Sequence, residues 1–407
     1  MANICSESNG FVGEFGLDLL GCYMTKCKLG DICEIVSGST PKTSIAEYWD
    51  GDVKWITPAE LSDDTYIIMD SVRKITKLAV EKTGLRSIPK GTVILSSRAP
   101  IGKVAIAGCE LYCNQGFKNL ICSDVINNKY LYWFLRGNTI FLNSLGRGAT
   151  FKEISKSIVS EIEINIPSIM QQKKVVENLE KLNGIISIRK QELQLLDQLV
   201  RGRFVELFGS IYDNKFGYDM MTLQDVCEPI KDGTHQTPIY TEDTVKGYKF
   251  LSSKDVTSGK IDWNHLKYIP ENLHDELYKR VSPRKGDILL AKNGTTGIAA
   301  VVDRDEVFDI YVSLALLRPL EMIVPEYLCS AVNAIETKHQ FRSSLKGIGV
   351  PNLHLGEIKK TKIIVPPLDK QIAFADFVHQ IDKSKFGHLS MLTTMKSAYE
   401  QQTFIYP

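Results

Sequence analysis

The chain has 407 residues, of which 43% are hydrophobic and 24% charged, with a formal net charge of +1. This length predicts two or three domains, and no apolar run reaches the roughly 18 residues that a membrane-spanning helix needs. The balanced charge neither indicates nor excludes nucleic-acid binding, because a basic face can be offset by acidic patches elsewhere. The N-terminal stretch MANICSESNG lacks the basic segment of a secretory signal, so we expect the cytoplasm.

The first part of the chain consists of short apolar runs broken by Gly, Pro, Asn and Ser. Val93–Leu95 and Val104–Ile106 are predicted strands that flank a polar loop, and further polar segments lie at 37–44, 114–118 and 145–154. Such side chains suit phosphate oxygens and base edges, although a solvated hairpin loop explains them equally well. The candidate binding residues of this first lobe are Thr40, Lys42, Thr43, Ser97, Arg98, Lys103, Asn114, Gln115, Arg147 and Lys152.

A long amphipathic helix is predicted next, from Gln171 to Phe208, or about 57 Å at 1.5 Å per residue. Pro167 precedes it, where a proline suits a helix entrance. Its apolar residues alternate in steps of four and three, which is the a/d pattern of a coiled-coil seam. The seam residues are Val175, Leu179, Leu182, Ile186, Leu193, Leu196 and Val200.

The second lobe repeats the first. "LGDICEIVSGST" at 29–40 corresponds to "LQDVCEPIKDGT" at 223–234, and "PKGTVILSSRAPIGKVAI" at 89–106 to "RKGDILLAKNGTTGIAAV" at 284–301. Its polar loops occupy equivalent positions but carry different side chains. This suggests two sites of the same kind that recognise different ligands or ligand sequences. The candidates are Thr234, His235, Gln236, Lys292, Asn293, Thr295, Thr296, Lys346 and Asn352.

A second long helix repeats the seam. A shift of 199 residues carries Pro167 onto Pro366 and Gln172 onto Gln371. The matching seam residues are Phe374, Val378, Ile381, Leu392, Met395 and Tyr399, with Lys385 and His388 between them. We therefore predict an internal repeat of lobe, helix, lobe, helix. The two helices are expected to pair antiparallel about a pseudo-twofold axis, the alternative being that each helix packs only on its own lobe.

Signatures of catalysis and metal binding are missing. The sequence has no GxxxxGK[ST] loop, no GxGxxG opening a helix, and no HExxH or GxSxG motif. The nine cysteines form no zinc-binding pattern, so we expect reduced thiols. His235 lacks partners at ligand spacing and is interpreted as a hydrogen-bonding loop residue. No catalytic residue and no metal ligand are predicted, which favours a recognition module.

These motifs together resemble the DNA-specificity subunit of type I restriction–modification systems. The resemblance rests on "SGSTPKTSIAEYWDGDVKWITPAELS" (37–62), the hairpin at 89–106, "IPSIMQQKKVVENLEKLNGIISIRKQEL" (166–193) and its copy "VPPLDKQIAFADFV" (365–378). It extends from Leu29 to about Gln402. The fold it implies is α+β: two similar target-recognition domains separated by two long helices that form an antiparallel coiled coil. Lys385, Gly387 and His388 depart from an apolar seam, so weaker pairing is expected there.

The resemblance also implies a domain division and a set of partners. The expected segments are an N-terminal extension (1–28), a first recognition domain (29–169), a central helix (170–209), a second recognition domain (210–368) and a C-terminal helix (369–403). Each domain would read half of a split asymmetric double-stranded DNA target in a prokaryotic cytoplasm. The helices would set the gap and dock methyltransferase subunits, expected to be two.

All chemistry would then belong to partner subunits. The methyltransferases would carry S-adenosylmethionine, and separate restriction/translocase subunits would use ATP and Mg²⁺, whereas this chain would hold no cofactor. Two other interpretations stay open: an adaptor that binds proteins through its lobes, and an enzyme derived from a fused restriction–methylation polypeptide.

Overall fold

The computed structural model describes residues 15–17, 23–62, 64–148, 152–256, 258–344 and 352–403. The chain divides into two compact units, Met1–Arg189 with Ser390–Pro407 and Lys190–Leu389, which are described in turn. None of the helices in these described ranges is both long and apolar enough to cross a bilayer.

The first unit contains three β-sheets. Its strands are β1 (Phe15–Leu17), β2 (Tyr23–Lys28), β3 (Cys33–Ser37), β4 (Trp49–Ile56), β5 (Ile67–Ile68), β6 (Lys74–Ile75), β7 (Val93–Ser96), β8 (Val104–Ala107), β9 (Tyr112–Cys113), β10 (Phe117–Cys122) and β11 (Glu163–Ile166). Its short helices are α1 (Leu29–Ile32), α2 (Lys77–Thr83), α3 (Asn128–Gly137), α4 (Thr139–Ser144) and α5 (Lys156–Ser160). The main sheet has the order β3-β10-β7-β8-β5, beside sheets β1-β2-β11 and β6-β4-β9.

The main sheet is covered by α3. Every residue of β7 and β8 is buried, which accounts for their uninterrupted apolar runs. Asn127 caps α3 by accepting hydrogen bonds from the backbone N–H groups of Lys129 and Tyr130. Helix α3 then buries Tyr132 and Trp133 in the core of the unit. Helix α3 thus closes one side of the hydrophobic core of the first unit.

Residues 23–28, predicted to belong to an N-terminal extension, form the central strand β2 of a sheet. Their pairing with β11 joins Lys28 to Glu163 and Thr25 to Ile166 in register. Cys27, on β2, is buried in the same core as Leu29. The segment is therefore part of the first unit, because it supplies ladder hydrogen bonds that β11 would otherwise lack.

The second unit repeats this plan. Its strands are β12 (Asp219–Thr222), β13 (Lys231–Asp232), β14 (Tyr248–Leu251), β15 (Lys267–Ile269), β16 (Ile288–Ala291), β17 (Ala299–Val301), β18 (Phe308–Ile310), β19 (Leu314–Leu317) and β20 (Lys362–Val365). Two long helices, α6 (Ile169–Phe208) and α12 (Leu368–Thr403), each contribute a segment, and the short helices are α7 (Leu223–Val226), α8 (Glu271–Arg280), α9 (Pro325–Asn333), α10 (Ile335–Ser344) and α11 (Leu355–Lys360). The main sheet has the order β13-β19-β16-β17, with further sheets β15-β14-β18 and β12-β20.

The start of each long helix is fixed by a buried glutamine, and the two glutamines make equivalent contacts. Gln172 accepts from the N–H of Asn127 and donates to the carbonyl of Pro167. In the same way, Gln371 accepts from the N–H of Val324 and donates to the carbonyl of Pro366. Both glutamines have no exposed surface. The repeated Pro and Gln therefore form the same set of hydrogen bonds at the start of each long helix.

The long helices pair antiparallel within the second unit. The Phe204 ring lies 5.6 Å from that of Phe374, and further along α6 in the N-terminal direction the Asp197 carboxylate is 2.6 Å from the Lys385 ammonium. From Asp197 to Phe204 the residue numbers rise along α6, while their contact residues on α12 fall from Lys385 to Phe374. The predicted antiparallel pair is therefore confirmed, and each predicted seam residue whose side chain is described is buried or half-buried.

Two details of the helix prediction change. Lys385 and His388 were expected to weaken the seam, but each faces a carboxylate on α6, Asp197 for Lys385 and Glu192 for His388 at 3.1 Å. In addition, the helices pack on their lobes as well as on each other, because Glu180 of α6 accepts a hydrogen bond from Tyr66 in the first unit. The side chain of Tyr399 lies outside the described residues.

Candidate nucleic-acid interface

The polar loops of the first unit meet at one edge of its main sheet. The N–H of Ser39 donates to the carbonyl of Cys113 at 2.8 Å, and the N–H of Ser97 donates to that of Gly116 at 2.7 Å. The N–H of Ile154 then donates to the carbonyl of Ser97 at 2.9 Å. Segments distant in sequence are therefore held side by side by their backbones.

The second unit repeats these three hydrogen bonds. The N–H of Thr234 donates to the carbonyl of Ile310 at 3.2 Å, and the N–H of Lys292 to that of Ser313 at 2.9 Å. The N–H of Leu353 donates to the carbonyl of Lys292 at 2.8 Å. Both units thus present the same loop scaffold, and only the side chains on it differ.

A glycine makes each scaffold possible. A Cβ on Gly38 would lie 1.9 Å from the carbonyl oxygen of Asn114, and one on Gly233 would lie 1.9 Å from that of Ile310. No side chain fits at either place without moving the backbone. The glycine shared by the two "SGST" and "DGTH" loops is therefore required by close backbone contact.

An ion-pair network lies behind the first loop cluster. The ammonium of Lys118, whose side chain is 7% exposed, is 3.1 Å from Glu153 and 3.3 Å from the hydroxyl of Ser97. The guanidinium of Arg98 is 2.9 Å from the same carboxylate. Burial acts to raise the pKa of Glu153, but the contacts with Lys118 and Arg98 outweigh it and lower that pKa. The carboxylate is thus held ionised.

The second loop cluster has a corresponding network built from other positions. The ammonium of Lys292 lies 2.9 Å from the carboxylate of Asp232, which also contacts Arg280 at 3.1 Å and His235 at 3.3 Å. Burial acts to raise the pKa of Asp232, but the contacts with Lys292 and His235 together outweigh it and lower that pKa. The backbone of Lys292 makes the hydrogen bonds that the backbone of Ser97 makes in the first unit. Lys118 places its ammonium next to Ser97, and Lys292 carries its own. Both clusters therefore have an ammonium at the equivalent position, although the two lysines lie at different positions of the repeat.

The predicted binding residues divide by exposure. The exposed residues are Lys42, Thr43, Arg98, Gln115, Arg147, Lys152, His235, Gln236 and Thr295; the half-buried residues are Thr40, Lys103, Asn114, Thr234, Asn293, Thr296 and Asn352; and Ser97 and Lys292 are buried. Lys346 lies outside the described residues. The described candidates of each unit lie on the loops of that unit, and their role in binding stays a prediction.

Three of these residues have roles that their sequence positions did not indicate. Lys292 and Ser97 are buried and bonded internally, and the ammonium of Lys103 donates to the carbonyl of Leu61. These groups support the loops, because a buried ammonium with a carboxylate partner is not free to bind a ligand. Two carboxylates absent from the prediction take part in this support: Asp232 pairs with Lys292, and Glu153 pairs with Lys118, which donates to the hydroxyl of Ser97.

Three other candidates carry buried oxygen atoms without a hydrogen-bond partner among the described residues. They are Thr40 Oγ1, Asn293 Oδ1 and Asn352 Oδ1. Asn293 and Asn352 face each other across an antiparallel bridge between the two loops. Buried polar atoms are nearly always paired, so these oxygens are candidate positions for a hydrogen bond from water or from a ligand.

The described loop residues carry no cluster of metal-ligating side chains. In the part of the chain that the structure describes, no group of three or more His, Cys, Asp or Glu side chains is arranged to hold a metal ion. His235, interpreted as a hydrogen-bonding loop residue, contacts the carboxylate of Asp232. The loop clusters are therefore suited to contact a ligand through hydrogen bonds and charge.

Comparison with known proteins gives consistent matches. Residues 23–198 and 216–388 each match the family described as "Type I restriction modification DNA specificity domain". The chain is 31% identical over 361 residues to the type I restriction enzyme MjaIX specificity subunit of Methanocaldococcus jannaschii, covering 84% of this chain and 82% of that protein. It is 22% identical to the EcoBI specificity subunit of Escherichia coli, covering 72% and 68% of the two chains.

A solved structure has the same fold. The S subunit of a type I restriction–modification system from M. genitalium superposes with a TM-score of 0.53 at 15% sequence identity. The match covers 95% of this chain and 96% of that chain. At this identity the likeness concerns the fold, and it covers the lobes and the long helices together.

Proposed function

The chain belongs to the family of type I restriction–modification DNA specificity proteins, and we propose that it is the non-catalytic subunit that recognises DNA for such a complex. Each unit reads one half of a split, asymmetric duplex target through its loop cluster. The domain boundaries predicted at 29–169 and 210–368 describe the two readers. The protein works in the cytoplasm of a prokaryotic cell.

One observation carries this proposal: the same backbone hydrogen bonds support both loop clusters, while the side chains on them differ. The exposed side chains include Arg147 and Lys152 in the first unit and His235 and Thr295 in the second. Base pairs are distinguished by the side chains that reach their edges, with about 1–3 kcal/mol per good bidentate contact. A shared scaffold with different side chains is what two readers of different half-sites require.

The unpartnered oxygens add support in both clusters. Thr40 in the first unit, with Asn293 and Asn352 in the second, present acceptors that a cytosine or adenine amino group satisfies in the major groove. An unpaired buried acceptor costs about 1–3 kcal/mol, which duplex binding recovers. These residues are therefore further candidates for base contacts, beside the exposed side chains of the same loops.

The long helices serve as a spacer and as a docking surface for partner subunits. In the second unit, several large apolar side chains point outward from the helix pair, among them Leu195 (60% exposed), Leu199 (50%), Phe386 (76%) and Leu389 (50%). Exposed apolar side chains in such number are typical of protein interfaces. We assign them to methyltransferase subunits, two per complex, which hold S-adenosylmethionine, while restriction/translocase subunits use ATP and Mg²⁺.

Mapping of methylated bases in the genome, with and without this gene, tests the proposal. The expected result is a bipartite motif with an unread gap, which disappears when the gene is deleted. An unchanged methylation pattern contradicts DNA recognition. The adaptor alternative predicts in addition that the assembled complex binds duplex DNA equally well when this chain is left out.

A further inference from the structure

Three cations lie together in the second unit, outside the residues predicted to bind DNA. Lys338 and Arg342 are four residues apart on α10 and so share one face of that helix. Arg201 is on α6, one turn before Phe204, and a cavity of the second unit is lined by both Phe204 and Thr337, a neighbour of Lys338. These three residues are called the basic cluster below.

The basic cluster lies next to the β16–β17 loop, which carries Asn293 and Thr295. A Cβ on Gly297 of this loop would lie 3.1 Å from the ring of Phe341 and 4.0 Å from Cγ of Lys338. The end of α9 is anchored to the strand that follows the loop, since Asn333 exchanges two hydrogen bonds with the backbone of Ala299, at 2.8 and 3.1 Å. The cluster is therefore held at a fixed position beside the loop.

The charges of the basic cluster are not compensated within the second unit. None of the three side chains forms an ion pair with a carboxylate of the described residues, whereas the neighbouring Arg203 pairs with Glu206 at 2.9 Å. Burial lowers the pKa of the Lys338 ammonium, and the guanidinium groups of Arg201 and Arg342 lower it further. Crowded like charges without a counter-ion are unfavourable until an anion binds.

We propose that the basic cluster binds backbone phosphates of the duplex beside the half-site read by the second unit. This inference rests on the proposed function and adds to it a contact that holds the DNA without reading its sequence. A neutral or cationic ligand would not relieve the repulsion among the three cations. Phosphates about three to four ångström from the cations would neutralise their charges, and the bound DNA would release its own counter-ions.

The first unit lacks this feature at the corresponding place. There the helix beside the hairpin glycine is α4, where a Cβ on Gly102 would lie 2.9 Å from Cγ2 of Thr139. Its sequence, TIFLNS, has no Lys or Arg. The phosphate contact is thus a property of the second unit, and we expect the DNA flanking its half-site to be held more strongly.

The test replaces the cluster and measures how salt affects binding by the assembled complex. The triple variant Arg201→Gln, Lys338→Gln and Arg342→Gln is compared with the natural chain on a duplex that contains the mapped target and on an unrelated duplex. Because each phosphate contact contributes about 0.9 to the slope of log affinity against log salt concentration, the slope should become shallower by about 2 to 3. Affinity should fall on both duplexes alike, with the methylated motif unchanged.

Lys285→Gln is the matched control. Lys285 is exposed and precedes β16, at the opposite end of that strand from the loop at 292–297. It removes charge from the same unit, and its slope should equal that of the natural chain. Thermal unfolding of the triple variant should occur at the same or a higher temperature, because removing like charges relieves repulsion.

The outcomes separate this inference from the proposed function. A triple variant with an unchanged slope, in a complex that otherwise binds its target with steep salt dependence, overturns the phosphate contact alone. Unchanged DNA binding together with lost co-purification of the methyltransferase subunits also overturns it, and assigns the cluster to a protein contact. If the natural complex binds no duplex, the proposed function fails, and this inference fails with it.

Discussion

The ammonium of Lys292 lies 2.9 Å from the carboxylate of Asp232, and the two side chains are only 8% and 9% exposed. The same point of the first unit holds the ammonium of Lys118, 3.1 Å from Glu153. Each loop cluster is therefore built over a sheltered ion pair. We therefore assign the proposed ligand contacts to the exposed side chains around the pair, and not to the pair itself.

This ion pair predicts an asymmetric response to mutation. Lys292→Met leaves the carboxylate of Asp232 sheltered with less compensation, which costs about 3 kcal/mol when one partner of a buried pair is removed. The double variant Lys292→Met/Asp232→Asn should recover most of that loss. Thermal unfolding of both variants measures the difference, and a single variant of full stability that still fails to bind DNA would show that Lys292 contacts the ligand directly.

The two loop clusters should be separable by mutation. Asn293→Ala with Thr295→Ala should relax only the half-site read by the second unit, because both residues belong to that unit's loops. Arg147→Ala with Lys152→Ala is the counterpart in the first unit and should affect only the other half-site. Mapping of methylated motifs distinguishes them. Equal loss at both half-sites, from either variant, would indicate a general role in phosphate binding or folding.

The gap between half-sites should follow the length of the helix pair. Glu192 contacts His388 and Asp197 contacts Lys385, so seven residues inserted after Leu193 and seven after Phe386 lengthen both helices at the same level. Seven residues keep the seam in phase and add about 10 Å, or about three base pairs. We expect a longer gap with both half-sites unchanged.

The control for this experiment inserts seven residues into α6 alone. That variant mismatches the seam and should destabilise the helix pair. Recovery of the original gap from the doubly extended chain would contradict the spacer role of the helices.

Partner docking should depend on the outward apolar residues of the helix pair. Leu195→Lys with Leu199→Lys should abolish co-purification of the methyltransferase subunits, because burying two ammonium groups in an apolar interface is costly. Leu320→Lys, which replaces a 38% exposed leucine outside the helices, is the control. Full assembly of the double variant would place the docking surface elsewhere.

A buried acid makes the second unit sensitive to pH. Burial raises the pKa of Asp309 to about 6, even though its contact with His274 at 2.7 Å acts in the opposite direction. Because an unfolded aspartate titrates near 3.9, this group stabilises the fold below about pH 4 and loses that contribution as the pH rises through 6. Relative to Asp309→Asn, the natural chain should lose up to about 3 kcal/mol of stability between pH 4 and pH 7.5.

Thermal unfolding of both proteins across this pH range measures the difference. A constant difference in stability would show that folding does not raise the pKa of Asp309. The ring of Tyr248 stacks on His274 with centroids 3.7 Å apart, so the asparagine variant keeps the packing around the pair.

Much of the fold could be predicted from the spacing of apolar residues and from the internal repeat. The four-and-three spacing of Val175, Leu179, Leu182 and Ile186 predicts a long helix with one sheltered side, since every side chain on that side faces the same way. The repeated Pro and Gln at 167 and 172, and again at 366 and 371, predicted the duplication. The short strand β2 was missed because six residues with mixed polarity do not distinguish a paired strand from a tail.

The sequence by itself determined the repeat and the two long helices, because these depend on spacing along the chain. It also predicted the antiparallel pairing of the helices, and it proposed the polar loops, with their glycines Gly38 and Gly233, as binding surfaces. Only the tertiary structure decided which charged side chains are exposed to solvent and which are paired inside the protein. Lys292 and Arg147 are equally basic in the sequence, but burial against Asp232 commits the first to the protein interior, while the second stays in solvent. Charge compensation depends on distances between segments that are remote in sequence, 35 residues apart for Lys118 and Glu153, and local patterns do not contain those distances.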